Sequence, residues 1–238
     1  MAKNLTMNLQ KLLYSFLIIL HSSIYNLKLN AQQYNFSWYT IENGLPQSQV
    51  YALFQDSKGY LWIGTYGGGL CRFDGNNFVT FTSKDGLGND RIYSIMEDSK
   101  GNIWIGMDSG GLGKYKGSSS GSPEEEKDDK IKFINYTVKD GLNSNIILDI
   151  IEDHRGVLWL ATTKGVCTFD GNRFVNITKK YHLEEVQVWA VIQDKNNNIW
   201  FGGQSGLFRY NYPDKVGTGK NIETFTREQG FEYRFICA

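Results

Sequence analysis

The sequence predicts an all-β protein, a β-propeller of radially arranged four-stranded sheets, and three observations carry that reading. A block with a period near forty residues recurs four times, as DSKGYLWIGTYGGGL (56–70), DSKGNIWIGMDSGGL (98–112), DHRGVLWLATTKGV from Asp153 and DKNNNIWFGGQSGL from Asp194. Each copy holds four short apolar runs separated by turn residues, and no segment shows the i, i+3, i+4 stripe of an amphipathic helix. Composition agrees, because 14% aromatic residues supply a core and 26 glycines against 3 prolines suit tight turns.

The first copy shows the design. VYALF (50–54) leads through DSKG to LWIGT (61–65), YGGG leads to LCRFD (70–74), and a Gly-Asn turn leads to NFVTFT (77–82). Trp62, Trp104, Trp159 and Trp200 mark the second run, at spacings of 42, 55 and 41. The longer interval comes from KGSSSGSPEEEKDDK (116–130), a Ser/Gly-rich and then charged insertion expected to be flexible. It falls between third and fourth runs, where the fourth copy also lengthens through NYPDKVGTGKN (211–221).

Turn chemistry supports antiparallel hairpins. Asp56–Gly59, Asp98–Gly101 and Asp153–Gly156 share D-x-x-G, and Asn197 takes the glycine's place in the fourth copy, as the residue next most tolerant of positive φ. Asp74-Gly75 and Asp170-Gly171 connect third to fourth runs with a hairpin dipeptide. The third position of the first run is small in Ala52, Ser94 and Ala190, which fits an innermost strand where sheets converge; Asp149 is the exception and is expected either to face a wet central channel or to be merely solvated.

The connection between copies repeats too: NFSWYTIENGL (35–45), NFVTFTSKDGL (77–87), KFINYTVKDGL (132–142), RFVNITKKYHL (173–183) and NIETFTREQGF (221–231). The expected organisation is therefore a lone fourth strand over 35–40, blades at approximately 50–82, 92–137, 147–178 and 188–226, and the start of a fifth from 236. That describes an incomplete, truncated propeller over 32–238; a ring of four blades is the alternative.

The first 31 residues read as a secretory signal peptide, with Lys3 and Lys11 before a nine-residue apolar run (Leu12–Leu20) and small Ala31 at the exit. Nine residues fall well short of the roughly 20 that cross a bilayer. Lys and Arg total 25 and Asp and Glu total 25, a balance that argues against a nucleic-acid partner. Cys71, Cys167 and Cys237 make no disulfide framework, and Cys71 and Cys167 hold the same place in first and third copies, as small buried residues would. His21, His154 and His182 share no ligand spacing with them, so no metal or cofactor is expected.

With the first run innermost, the connections between copies and the loops joining second to third runs meet on one face. That face gathers the ligand-binding candidates Tyr66, Asn89, Arg91, Asp108, Asn145, Lys164 and Gln204, with Gln47, Asp90, Glu184 and Glu185 beside them and Asp149 in the channel. Amides, charges and an aromatic ring suit hydrogen bonding to and stacking on sugars, although any one polar loop residue is more simply a solvated one. Other chemistry finds no support. YGGG (66–69) and DSGG (108–111) precede strands and not phosphate-cradling helices, DKNNN (194–198) lacks the glycine and distal glutamate of a calcium loop, and the repeated aspartates lie in turns instead of forming a catalytic pair. No catalytic residue is assigned.

The blade sequence GLPQSQVYALFQDSKGYLWIGTYGGGLCRFDGNNFVTFT strongly resembles the two-component regulator propeller repeat, over essentially all of 34–238. The resemblance implies an exported, periplasmic sensor region of a Bacteroidetes hybrid histidine kinase, ahead of a β-sandwich, a membrane helix and the kinase modules. It implies an oligosaccharide ligand, no enzymatic activity in this chain, and is compatible with a homodimer of the full-length receptor. The sequence departs from the family in carrying no sandwich, second membrane helix, kinase or receiver, and neither His154 nor His182 has the setting of a phospho-acceptor. Two other classes stay open, a carbohydrate-active lyase or hydrolase and a structural, protein-binding propeller.

Overall fold

The computed structural model describes residues 36–117, 132–181, 183, 187–212 and 221–225. The leader over 1–31, most of the 116–130 insertion, the fifth blade from 236, and His182, Glu184, Glu185 and Cys237 lie outside the described residues. The chain divides into two units, Met1–Trp38 and Tyr39–Ala238. In the first, Phe36–Trp38 are described; they belong to no strand, and Phe36 and Trp38 are exposed.

The second unit contains four antiparallel sheets. They comprise β1 (Val50–Gln55), β2 (Leu61–Thr65), β3 (Leu70–Phe73) and β4 (Phe78–Phe81); β5 (Ile92–Glu97), β6 (Ile103–Met107), β7 (Leu112–Tyr115) and β8 (Phe133–Tyr136); β9 (Ile147–Glu152), β10 (Leu158–Thr162), β11 (Gly165–Phe169) and β12 (Phe174–Asn176); and β13 (Val188–Gln193), β14 (Ile199–Gly203), β15 (Gly206–Tyr210) and β16 (Ile222–Phe225). Within each sheet every strand pairs with its successor. Contacts between sheets run from β1 to β5 to β9 to β13, so the first strand of each copy is innermost. In the third sheet the outer strand stops at Asn176, whose Oδ1 accepts the Lys179 N–H at 2.9 Å and caps a helical turn, α1 (Ile177–Lys180).

Of the lone strand expected over 35–40, residues 36–40 carry no strand pairing, and Asn35 lies outside the described residues. Tyr39 nevertheless takes the role of Phe81 and Tyr136. Its ring meets Phe73 and Phe78 at 5.2 and 5.8 Å, as Phe81 meets Tyr115 and Phe133 of the following sheet at 5.3 and 5.8 Å.

Three buried clusters fill the spaces between neighbouring sheets, around Trp62 and Ile95, around Trp104 and Ile150, and around Trp159 and Val191. Small residues let the sheets close together. Ala52 faces Gly64, Ser94 faces Gly106 and Ala190 faces Gly202 across the first ladder of their sheets. A Cβ on Gly64 would stand 2.6 Å from the Ile92 Cγ2, so the bare glycine is what admits the next sheet.

Burial distinguishes the inner sheets from the end ones. Ile95, Ile150 and Val191 are 8%, 4% and 1% exposed, while Leu53 at the same position of the first sheet is 64% exposed. On the other side Met96 is 8% exposed and its equivalent Ile192 in the fourth sheet is 59% exposed. Among the described residues the first and fourth sheets thus each carry one face that no other sheet covers.

Each sheet is also tied by one recurring polar unit. The Asp that opens the first turn accepts two backbone N–H groups on Oδ1, and its Oδ2 accepts the indole N–H of the Trp six residues later. Asp56–Trp62, Asp98–Trp104, Asp153–Trp159 and Asp194–Trp200 all make that bond at 2.8 Å. At Asp56–Trp62 and Asp153–Trp159 a buried carboxylate and a buried indole thereby satisfy each other, which is the condition for placing either in a core; Asp98, Asp194 and Trp200 are half-buried.

Candidate functional site

The connection between sheets begins with a tight turn. Thr82 N–H bonds the Asp85 carboxylate at 2.8 Å, and Thr137 and Asp140 repeat this. The chain then passes Asn89, whose Oδ1 accepts the Arg91 N–H at 2.9 Å, and Asp90, whose carboxylate accepts the Ser83 N–H at 2.7 Å. The Asp90 carbonyl accepts the N–H groups of Gly67 and Gly69 from the preceding sheet. A single β-bridge joins Tyr66 to Arg91.

This scaffold gathers three of the expected site residues. The Arg91 guanidinium lies 4.6 Å over the Tyr66 ring, and its Nη1 is 3.2 Å from the Asp108 Oδ2. The bond to Asp108 holds Arg91 more firmly protonated. Tyr66 continues into two tyrosines that the sequence reading did not single out: Tyr51 is 5.1 Å from Tyr66, and Tyr93 stacks on Tyr51 at 5.9 Å. Burial first, and then Asp108, pushes the Tyr93 hydroxyl above its ordinary pKa.

Tyr51 and Tyr93 lead into a cavity of about 490 Å³ between the innermost strands, also lined by Ser94, Leu148, Asp149 and Trp189. The second residue of each first strand thus supplies its wall: Tyr51, Tyr93, Leu148 and Trp189. Ser94 is 8% exposed, and its hydroxyl has no hydrogen-bond partner among the described residues. An orphaned buried hydroxyl costs about 1–3 kcal/mol.

The remaining expected residues are placed as follows. Asp149 lines the cavity, but its carboxylate is engaged, accepting the Ile150 N–H and, from the neighbouring sheet, the Val191 N–H, both at 2.9 Å. Burial outweighs those two bonds and raises its pKa. Asn145 accepts the Val138 N–H on its side chain at 2.8 Å and the Gly111 N–H on its carbonyl at 2.8 Å. Gln47 donates to the Tyr66 carbonyl at 3.4 Å. Lys164 and Gln204 are exposed loop residues of the third and fourth sheets, and no described contact links them to the Arg91 cluster. Among the described residues no group of three or more His, Cys, Asp or Glu is placed to hold a metal.

An array of Trp-centred four-stranded sheets, with aromatic and charged loops over a cavity between their innermost strands, defines a β-propeller fold. The family model for the two component regulator propeller matches residues 44–67, 86–109, 141–164 and 182–205, so the chain carries four repeats of that kind. Each match runs from the connecting turn through the first two strands and ends one residue past the position of Tyr66. The extracellular domain of a hybrid two component system from B. thetaiotaomicron is 26% identical with a TM-score of 0.64, over 78% of this chain and 24% of that one. The chain thus spans about a quarter of that solved domain.

Two more distant structures share the fold alone. A catalytically inactive virginiamycin B lyase from Staphylococcus aureus with quinupristin is 15% identical with a TM-score of 0.55, over 83% of this chain and 61% of that one. PorZ, a surface component of the type-IX secretion system of Porphyromonas gingivalis, is 18% identical with a TM-score of 0.50, over 76% and 28%. No curated protein matches the chain. The chain is accordingly a propeller segment homologous to the extracellular region of two-component sensors.

Proposed function

We propose that this segment recognises an oligosaccharide outside the cytoplasm and passes occupancy to the kinase of a longer parent protein. The observation that carries the reading is the run Asp108–Arg91–Tyr66–Tyr51–Tyr93, which descends from the loops into a cavity that Trp189 also lines. Sugar rings present apolar faces that stack on aromatic rings, and equatorial hydroxyls that pair with guanidinium and carboxylate groups. Arg91 and Asp108 already fix each other, so a ligand meets a preorganised pair and orders little on binding.

Export by a leader over 1–31, a periplasmic location, and a β-sandwich and kinase downstream complete the proposal. The likeness to the extracellular domain of a two-component system supports it. A binding role without turnover fits the carboxylates present. Among the described residues Asp149 is the carboxylate that lines the cavity, whereas glycoside cleavage ordinarily uses two, about 5–9.5 Å apart.

The test is a glycan array on the purified chain and on the full-length ectodomain, followed by calorimetric titration of the best ligand. The expected result is saturable binding that falls by about 2 kcal/mol in Arg91→Ala or Tyr66→Ala, with no consumption of the glycan. Absence of glycan binding by the ectodomain, or binding indifferent to both substitutions, overturns the proposal.

A further inference from the structure

Ser94 and Asp149 bring polar groups to a position that is otherwise alanine. They stand third in β5 and β9, the innermost strands of neighbouring sheets, where β1 and β13 carry Ala52 and Ala190. Both line the cavity of about 490 Å³ that Tyr51 and Tyr93 lead into. Ser94 is 8% exposed, and its hydroxyl finds no hydrogen-bond partner among the described residues.

Asp149 is engaged as an acceptor but not balanced as a charge. Its Oδ1 accepts the Ile150 N–H and its Oδ2 the Val191 N–H, which leaves about half of a carboxylate's roughly four lone-pair sites open. Both donors are neutral, and among the described residues no Lys, Arg or His lines the cavity. Arg91, the cation of the neighbouring run, is already paired with Asp108 at 3.2 Å. A carboxylate set among strands without a counter-charge is costly, and burial accordingly raises the Asp149 pKa. At the same cavity the Tyr51 and Tyr93 rings stack at 5.9 Å with 19° between their planes, and the faces of such rings attract cations. A carboxylate, an unused hydroxyl acceptor and aromatic faces all suit one kind of group, a small cation that donates several hydrogen bonds.

Within an oligosaccharide the group that meets this description is a free amine. On the basis of the oligosaccharide recognition proposed above, we infer that the cavity takes the ammonium group of an amino sugar, so that the ligand is a glycan bearing free amines. The ammonium donates to the Asp149 carboxylate and to the Ser94 Oγ, beside the tyrosine faces. A hydroxyl or an acetamido group in its place donates fewer hydrogen bonds and brings no charge.

Calorimetric titration of the full chain with three β-1,4-linked tetrasaccharides tests this. They share one backbone and carry at C2 a free amine (the glucosamine tetramer), an acetamido group (the N-acetylglucosamine tetramer) or a hydroxyl (cellotetraose). At about pH 6, with the amine protonated, the glucosamine tetramer is expected to bind about tenfold or more tighter than either of the others. Asp149→Asn removes that preference, and Ser94→Ala reduces it about threefold or more. Should Asp149→Asn fail to fold for want of its bond to Val191, Ser94→Ala still decides, because its hydroxyl has no partner to lose among the described residues. Equal affinity for the three ligands, or a preference unchanged in Ser94→Ala, overturns the inference and leaves the oligosaccharide reading standing. So does failure of the glucosamine tetramer to bind while another glycan of the array binds. Absence of binding to any glycan by the ectodomain overturns both.

Discussion

Glu97, the last residue of β5, reaches back to the first sheet and accepts both the backbone N–H and the hydroxyl of Ser57, at 2.7 and 2.6 Å. Glu152 holds Ser99 in the same way at 2.6 and 2.8 Å, and Gln193 holds the His154 N–H at 3.0 Å. One residue at the end of each inner strand thus grips the turn of the sheet before it. The grip fixes the angle between neighbours and, with it, the alignment of Tyr66 on one sheet with Arg91 on the next.

Glu97→Ala is expected to destabilise the chain by about 1 kcal/mol, since the pair is charge-assisted but exposed. In a double-mutant cycle by urea unfolding, Ser57→Ala loses most of its own effect in the Glu97→Ala background. Additive effects would show that the two do not act together.

Removing one indole N–H leaves a buried carboxylate short of a donor. Trp159→Phe is expected to cost about 2–4 kcal/mol, combining the lost bond to Asp153 with the smaller ring at a site 1% exposed. Trp200→Phe, at a less buried site, costs less. Unfolding midpoints in urea for the two variants give the comparison, and equal losses would contradict it.

The carboxylates are expected to titrate in opposite directions. Hydrogen bonds from Trp200 and Asn198 hold Asp194 down to about 2, from an ordinary 3.8. At Asp98 and Asp153 burial acts to raise the pKa, but the bonds from Trp104 and Asn102, and from Tyr212 and Trp159, reverse it and leave both lowered. Stability from these three is complete above the unfolded-state value and is lost as pH falls through their folded values, so the melting temperature drops below about pH 4. Asp149, raised by burial, has the opposite sign: its contribution is present at low pH and fades as pH rises through its folded value. Carboxyl NMR titration reads all four, and an Asp149 below the others would contradict the packing around it.

Stacking between sheets predicts position-dependent tolerance. Leu53→Asp on the open face is expected to change stability by under about 0.5 kcal/mol. Ile95→Asp, at the same position of the second sheet, places a charge in the first intersheet core and is expected to prevent folding. Soluble expression and thermal melting separate the two outcomes.

The four sheets were legible in the sequence because the repeat writes each of them with the same run lengths and turn residues. Burial of Cys71 and Cys167 was legible for the same reason, and both are free and buried. The Asp–Trp bond was equally present as a constant spacing of six, yet Asp56 and its equivalents read as turn residues and Trp62 as core, and only coordinates show one satisfying the other. Tyr51, Tyr93 and Trp189 look like ordinary strand aromatics; their shared place in the second position of the first runs was the signal that they meet at the axis. Asp149 stood out by its charge, but its bond to Val191 spans two sheets and has no local trace. The strand expected at 35–40 followed from its likeness to 77–82, whereas a strand also needs a partner, which no likeness supplies.

Indole hydrogen exchange followed by NMR tests the central claim, that the Asp–Trp bonds of the first three sheets are shielded by the sheet that follows each of them, while the bond of the fourth lies on the open side. The account predicts strong protection of the Trp62, Trp104 and Trp159 Nε1–H and weaker protection at half-buried Trp200, while Trp38, 86% exposed, exchanges at the rate of a free indole. Four repeat tryptophans exchanging as fast as Trp38 would contradict it.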